Sequence, residues 1–248
     1  MIWRIYLQKA RNANATGDIE TAFSHMKTML KFRPSVGAKV LYGYYLMKKN
    51  RIEEATELFE NHIMNDKRIL KPEKKNKKGK IILNKDEMQA KTNYALCLWK
   101  NGDIDSAIEL LEYVHRKMHT TDVYCNLGYL YILKGDLKKA LRYNSFAYDF
   151  SPKSNGICDN LGCTYYKMGE YDKAKEIYEE IMEHEKKPSF PECWFNYGNV
   201  LIEFSEYEKA KECFETALSL EFNGFSNVTE KDVEDALKNL SQRVQNLQ

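Results

Sequence analysis

Two stretches of the chain read DVYCNLGYLYILKGDLKKA (residues 122–140) and GICDNLGCTYYKMGEYDKA (residues 156–174). Gly128 and Gly162 lie 34 residues apart, and so do Ala140 and Ala174. A fixed period of this length is typical of proteins that stack similar structural units. We therefore expect a repeat architecture rather than a conventional globular core.

Each copy contains two helical patterns separated by a turn. In the first copy, Tyr124, Leu127 and Tyr131 follow the spacing of one helix face. Gly135 then interrupts the pattern. A second apolar run ends before Pro152, because proline cannot continue a helix and disfavours helical geometry in the residue before it. Each copy is therefore predicted to be a helical hairpin, and the fold to be all-α.

This hairpin pattern resembles the tetratricopeptide repeat. The matching residues of the second copy are Leu161, Gly162, Tyr165, Gly169, Tyr171, Ala174, Tyr178 and Ile181. In the first copy Asn144 replaces the usual aromatic residue, and Leu137 replaces the tyrosine after the turn. The resemblance implies an α-α superhelix of stacked antiparallel hairpins that acts in protein–protein interaction.

Two series of small residues locate the other copies. The first helices carry Ala10, Gly43, Ala95, Gly128, Gly162 and Gly198, and the second helices carry Ala22, Ala55, Ala107, Ala140, Ala174 and Ala210. Both series have the same spacings, so we predict one solenoid over residues 1–248. Its six repeats would cover approximately residues 3–35, 36–64, 88–120, 121–154, 155–188 and 191–224. A basic insertion would occupy residues 65–87, and a capping helix residues 229–247.

The insertion differs in charge from the rest of the chain. Residues 65–85 contain nine Lys or Arg and two Asp or Glu, whereas the whole chain has a net charge of only +2. Short strands at Arg68–Leu70 and Lys80–Leu83 are predicted to pair around a turn at residues 76–79. Charge runs are mostly solvated loops, and this one lacks aromatic residues for base stacking. Contact with nucleic acid or an anionic surface through residues 67–85 is therefore a lesser alternative function.

The two ends of the chain also differ. Thr229 and Asp232 form a helix-start signal, and the helix that follows has one apolar stripe and a polar outer cover, as an end repeat requires. Residues 2–7 are apolar and aromatic, which we interpret as an ordinary first helix. The alternative is an assembly protein that stacks through this uncapped repeat, following a missing membrane anchor or upstream domain. We expect a monomer or weak self-association.

Motifs of catalysis are absent from the sequence. It contains no phosphate-binding loop, dinucleotide fingerprint, zinc-protease motif or nucleophile elbow. His115 and His119 are four residues apart but have no third ligand nearby, so we predict no metal site. Six cysteines within predicted helices favour reduced thiols and a cytoplasmic location. We expect neither an enzyme nor a protein with a cofactor or a small-molecule substrate.

Asparagine recurs two residues before the small residue of four first helices. The four are Asn93, Asn126, Asn160 and Asn196. Asparagine is a mediocre helix former, so this recurrence needs a reason. Its amide can match the exposed groups of an extended peptide backbone, and the row resembles the asparagine ladder of tetratricopeptide domains that grip extended peptides. Alternatively, each amide bonds to the adjoining repeat and fixes the stack.

Specificity is expected from side chains beside this row. The candidates are Tyr44, Trp99, Tyr129, Tyr166, Lys167, Phe195 and Asn199. They would line a concave groove, in which aromatic rings serve as binding anchors. The predicted function is an adaptor or scaffold that binds an extended peptide or a helix of another protein in this groove.

Overall fold

The computed structural model describes residues 2–69, 74–75, 77 and 81–246. Within these ranges the helices are α1 Ile2–Ala15, α2 Ile19–Leu30, α3 Val36–Lys48, α4 Ile52–Leu58, α5 Lys85–Lys100, α6 Ile104–His115, α7 Thr121–Leu133, α8 Leu137–Phe150, α9 Asn155–Lys167, α10 Tyr171–Glu183, α11 Pro191–Glu203, α12 Tyr207–Leu218 and α13 Glu230–Gln245. A π-helical segment, Phe59–Met64, continues α4. The predicted all-α fold is confirmed.

Helices α1 to α12 form six successive pairs at the predicted places, and α13 lies where the capping helix is predicted. The turn inside a pair requires one residue with positive φ. Gly135 and Gly169 supply it with φ of 81° and 76°, which glycine adopts without steric cost. Asn50 and Ser205 take the same place in two other pairs, with φ of 57° and 58°.

The chain divides into two compact units, residues 1–110 and residues 111–248, with the boundary inside α6. In the first unit, Met47, Phe59 and Ile63 are fully buried. In the second, Tyr178 and Phe214 are fully buried within a core that extends to α13. A single solenoid over the whole chain stays a prediction.

The small residues of the first helices permit close helix contacts. A Cβ atom added at Gly162 would lie 2.7 Å from a ring carbon of Tyr178, and one at Gly198 would lie 2.6 Å from the ring of Phe214. Since both rings are fully buried, only glycine lets the second helix approach this closely. The small residue of the first helix therefore has a steric role in these two repeats.

The insertion contains the predicted second strand but not the predicted first. Antiparallel strands β1 (Lys74–Lys75) and β2 (Ile81–Ile82) pair, with Lys74 opposite Ile82. The strand predicted from Arg68 is wrong, because Arg68 and Ile69 lie in a turn in which the Ile69 N–H donates to the Asp66 carbonyl at 2.8 Å. Residues 70–73, 76 and 78–80 lie outside the described residues, and with them the predicted turn. Contact with an anionic surface stays a prediction.

The helices of the described ranges include none that is long and apolar enough to cross a membrane. All six cysteines are free thiols, and four of them are buried.

Candidate functional site

A cavity of about 530 Å³ lies within the second unit. We call it the α13 cavity, because α13 forms one wall opposite α7, α9 and α11. Its lining residues are Tyr129, Leu133, Cys163, Lys167, Phe195, Asn196, Asn199, Ile202, Asn227, Val228, Asp232, Asp235, Ala236, Asn239, Leu240 and Arg243. The structure thus brings together five predicted groove residues, namely Tyr129, Lys167, Phe195, Asn196 and Asn199.

The walls from α9 and α11 combine apolar, amide and cationic groups. Phe195 packs on Phe214 with ring centroids 5.8 Å apart, which fixes its ring at the cavity. The Asn199 amide donates to the Phe195 carbonyl at 3.0 Å, so its Oδ1 atom remains available as an acceptor. The Lys167 side chain is exposed at the end of α9. An apolar side chain, a backbone N–H and a carboxylate could therefore each find a complementary group here.

Tyr129 contributes an aromatic wall from α7. Burial raises the pKa of its phenol above the ordinary value, and the nearby carboxylates of Glu192 and Asp159 add to the effect. The phenol is consequently neutral at physiological pH and can donate a hydrogen bond. An aromatic body with a polar tip is typical of protein-binding surfaces.

Helix α13 is held in place by its N-cap and by its apolar face. Thr229 and Asp232 form a capping box, and Val233 and Leu240 are buried against the rest of the unit. The helix start predicted from Thr229 and Asp232 is confirmed.

The flank of α13 next to its apolar face carries polar residues that sequence reasoning missed as site residues. Asp235, Asn239 and Arg243 recur every four residues and line the cavity. This spacing places them on one side of the helix. The sequence therefore contained a signal from which these three site residues could have been identified. The sequence interpretation treated α13 only as a polar cover, so it assigned this flank to solvent.

The two asparagines of α9 and α11 bond to the preceding repeat. The Asn160 amide donates to the Cys125 carbonyl at 2.7 Å. The Asn196 amide donates to Asp159 Oδ1 at 3.0 Å. These bonds favour the alternative in which the row fixes the stack. Ligand contact through the remaining amide oxygens stays a prediction.

The other two asparagines of the row behave differently. Asn93 is buried at 4% exposure, and its Oδ1 accepts a hydrogen bond from Gln89 in the same helix at 3.0 Å. Asn126 is half-buried and makes no hydrogen bond to the described residues. The hydrogen bonds of the four amides therefore differ from one repeat to the next, and contact of the row with a ligand stays a prediction.

The remaining predicted site residues lie elsewhere. Tyr44 and Asn93 line a separate cavity of about 310 Å³ in the first unit, and Tyr44 is 42% exposed. Trp99 lies against the Lys100 ammonium, 4.4 Å from the ring centroid. Tyr166 packs on Tyr171 with ring centroids 5.6 Å apart. Trp99, Tyr166, Asn126 and Asn160 line neither of these two cavities.

A buried carboxyl group lies beneath the α13 cavity. Asp159 is 5% exposed, and its Oδ1 accepts hydrogen bonds from Asn196 and from the Tyr178 hydroxyl, the latter at 2.9 Å. Burial raises the pKa of Asp159 to about 7, although both hydrogen bonds lower it. The charge of Glu192 adds to the rise. One carboxyl group thus connects α9, α10 and α11.

The cavity offers no activated nucleophile. Burial raises the pKa of the Cys163 thiol to about 12, and the charge of Asp159 acts in the same direction. A thiol in this state is a poor nucleophile, because the thiolate is the reactive form. In the described ranges no three His, Cys, Asp or Glu side chains form a group able to hold a metal ion.

Family models describe three segments of the second unit as "Tetratricopeptide repeat", namely residues 121–143, 156–188 and 191–223. A 97-residue segment is 33% identical to the protein "BBSome complex member BBS4" of Bos taurus. This segment covers 38% of the chain but only 18% of the bovine protein. The likeness therefore concerns a small part of that protein.

Solved structures share the fold at low sequence identity. A tetratricopeptide repeat protein from Parabacteroides merdae is 13% identical, with 96% of this chain and 98% of that chain covered and a TM-score of 0.54. A chain of the APC/C hetero-tetramer Cut9-Hcn1 is 16% identical, with 84% of this chain and 37% of that chain covered and a TM-score of 0.64. At these identities the likeness concerns the fold alone.

Proposed function

Since this chain is a tetratricopeptide repeat protein, we propose that it is a non-catalytic adaptor whose α13 cavity binds an extended peptide segment of a partner protein. The repeats make it a scaffold for protein–protein interaction. The observation that carries the finer proposal is the composition of the cavity, where aromatic rings, side-chain amides and both signs of charge converge in about 530 Å³. A cavity of this size matches a few side chains rather than a folded domain.

The cavity supplies each kind of contact that an extended peptide needs. Tyr129 and Phe195 can hold an apolar side chain, and the Asn199 oxygen can accept from a backbone N–H. Lys167 on α9 and Asp235 on α13 lie on different walls. A peptide with an acidic residue and a basic residue on either side of an apolar anchor would therefore match both charges.

The proposal can be tested without knowing the natural partner. A phage-displayed library of random peptides is selected against the intact chain, and the affinities of the selected peptides are measured by calorimetry. We expect the peptides to carry an apolar anchor and an acidic residue. Lys167→Glu should weaken them about tenfold or more, because it replaces attraction by repulsion at a surface-exposed position.

Lys173→Glu provides the matched control. Lys173 lies on α10, is exposed and does not line the cavity, so the substitution makes the same change in net charge at another site. Peptides that bind both variants equally well would contradict the proposal. So would a selection that yields no peptide with affinity for the wild-type chain.

A second candidate function is self-association through the first hairpin. Ile2 and Ile5 on α1 are 51% and 57% exposed, and Phe32 beyond α2 is 37% exposed. Apolar surface of this kind can drive pairing of two copies. Sedimentation velocity over a range of concentrations tests it. A concentration-dependent dimer that Ile5→Asp abolishes would support self-association, and a monomer at all concentrations would exclude it.

A further inference from the structure

The outward side of α8 differs from that of the other second helices in the second unit. We call it the α8 face, formed by Lys138, Lys139, Arg142, Phe146, Asp149 and Phe150. Phe146 is 57% exposed and Phe150 is 47% exposed. Contacts between repeats do not require exposed rings, because the small residues and buried aromatic rings already form them.

The charge of this face is reversed relative to its neighbours. The α8 face carries three positive charges and one negative charge. The equivalent positions of α10 are Asp172, Lys173, Glu176, Glu180, Glu183 and His184, with four negative charges and one positive charge. Those of α12 are Glu208, Lys209, Glu212, Thr216, Ser219 and Leu220, with two negative charges and one positive charge. Among these three faces, that of α8 alone has two exposed phenylalanine rings and a net positive charge.

Packing beneath the face holds the rings in place. Phe150 lies 4.5 Å from Tyr124 between ring centroids, and Tyr143 packs edge-on against Tyr131 at 5.1 Å. A cavity of about 290 Å³ opens beside them, lined by Tyr131, Lys139, Arg142, Tyr143 and Phe146. The Tyr143 hydroxyl is buried and has no hydrogen-bond partner among the described residues. Buried polar groups without a hydrogen-bond partner are rare in the interior of folded proteins.

Arg142 is the cation best placed to meet a partner. Lys139 already pairs with Glu112 at 3.2 Å and lies over the Tyr131 ring at 4.2 Å. Arg142 is exposed, lines the cavity and lies one turn before Phe146 on the same side of α8. A carboxylate that contacts Arg142 would therefore lie about one helical turn from an apolar side chain at Phe146.

We propose that the α8 face is a second docking site, separate from the α13 cavity, for an acidic amphipathic helix of a partner protein. An apolar side chain of that helix enters the cavity beside Phe146. A glutamate or aspartate one turn away pairs with Arg142. The partner helix is acidic because the α8 face has a net positive charge, whereas the equivalent positions of α10 and α12 have a net negative charge.

Two fluorescein-labelled peptides of about 14 residues test the proposal by fluorescence anisotropy with the intact chain. Both peptides carry leucine and phenylalanine along one helix face, and the remaining positions are glutamate in one peptide and lysine in the other. We expect the glutamate peptide to bind and the lysine peptide to bind about tenfold more weakly or not at all. Arg142→Glu should abolish this preference, because it changes the face from three positive charges and one negative charge to two of each sign.

Phe146→Ser should weaken the glutamate peptide about tenfold or more, because it removes the apolar anchor. The substitution is at a largely exposed ring, and circular dichroism would verify that the helices are retained. Lys173→Glu makes the same charge change as Arg142→Glu on the neighbouring α10 and should leave binding almost unchanged.

Other results would overturn the proposal. They include no binding of either peptide, equal weakening by Arg142→Glu and Lys173→Glu, and self-association that Phe146→Ser abolishes, which would assign the face to a second copy. Weakening by Lys167→Glu without an effect of Arg142→Glu would place the peptide in the α13 cavity. That last result would support the proposed function while rejecting this site.

Discussion

The most informative single substitution is Asp159→Asn. Asp159 is buried, and its Oδ1 accepts hydrogen bonds from Asn196 and Tyr178. An asparagine Oδ1 can accept the same two bonds, and its NH₂ group resembles the O–H of a protonated carboxyl. The substitution therefore mimics the neutral acid with nearly the same volume, while removing the possibility of ionisation.

The pKa of Asp159 fixes the sign and the pH range of the effect. Burial raises the pKa from 3.8 to about 7. The folded protein therefore binds a proton at Asp159 more tightly than the unfolded chain does, and the contribution of this group to stability falls as pH rises from about 4 to about 7. A shift of about three units corresponds to about 4 kcal/mol of stability lost across that window, as an upper figure.

Urea unfolding of wild type and Asp159→Asn at several pH values between 4 and 8, about one unit apart, measures this effect. The variant should gain stability relative to wild type as pH rises, because only wild type must ionise a buried group. Groups common to both proteins cancel in the difference. A carbon-13 NMR titration of the carboxyl groups measures the pKa of Asp159 directly and does not depend on how cooperatively the repeats unfold.

Asp136→Asn is the matched control. Asp136 is an exposed N-cap whose side chain accepts from the Lys139 backbone N–H, and asparagine caps a helix equally well. A stability difference between wild type and Asp159→Asn that stays constant over the whole pH range would refute the reasoning. An NMR pKa near 4 for Asp159 would refute it as well.

Three further predictions concern packing, repeat contacts and thiols. Gly162→Ala should destabilise the protein, although alanine is the better helix former. Overpacking against the Tyr178 ring costs about 1–3 kcal/mol, whereas the higher helix propensity of alanine returns only about 1 kcal/mol. Urea unfolding measures the change in stability, and a stabilised variant would contradict the prediction. Asn160→Ala should cost about 0.5–1.5 kcal/mol, because it removes the bond between repeats to the Cys125 carbonyl, which keeps its bond within α7. Asn199→Ala, whose amide donates within its own helix, should cost less in the same assay, and equal costs would argue against the contact between repeats. Burial raises the pKa of all six cysteine thiols. Alkylation of these thiols at pH 7 should therefore be much slower than alkylation of free cysteine, because the thiolate is the reactive form. Rapid labelling of the folded protein would contradict the prediction.

The repeat fold could be predicted because its determinants are local. The turn between paired helices needs positive φ, and glycines at Gly135 and Gly169 mark it directly in the sequence. The small residue and the aromatic ring of one hairpin recur at a fixed distance, as in Gly162 and Tyr178. These signals lie within one repeat, so their period alone indicates the architecture.

The details of the site depended on contacts between repeats, which no local pattern reveals. The carboxyl group of Asp159 is buried and accepts hydrogen bonds from Tyr178 of the same repeat and Asn196 of the next. Asn144 was identified only as a replacement for an aromatic residue, whereas its amide bonds to Thr164 of the next repeat at 3.0 Å. Five cavity residues could be predicted, because the helical register of each first helix places them on the same face as the asparagine row.

The insertion shows why the predicted first strand failed. The residues from Arg68 onward have an extended pattern, but the Arg68 side chain pairs with Asp66, which also bonds to Lys39 at 2.8 Å. Ile69 is buried. The contact between Lys39 and Asp66 is long-range, so no local pattern reveals it, and the strand that the structure describes is Lys74–Lys75.

The central claim, that the α13 cavity holds a peptide of a partner protein, is tested most directly by mapping backbone amide chemical shifts of the intact chain as a phage-selected peptide is added. We predict that the largest changes occur at cavity residues, including Tyr129, Lys167, Asn199 and the α13 residues Asp235 and Asn239. Changes confined to α10 and α12, with none on the cavity walls, would contradict the claim.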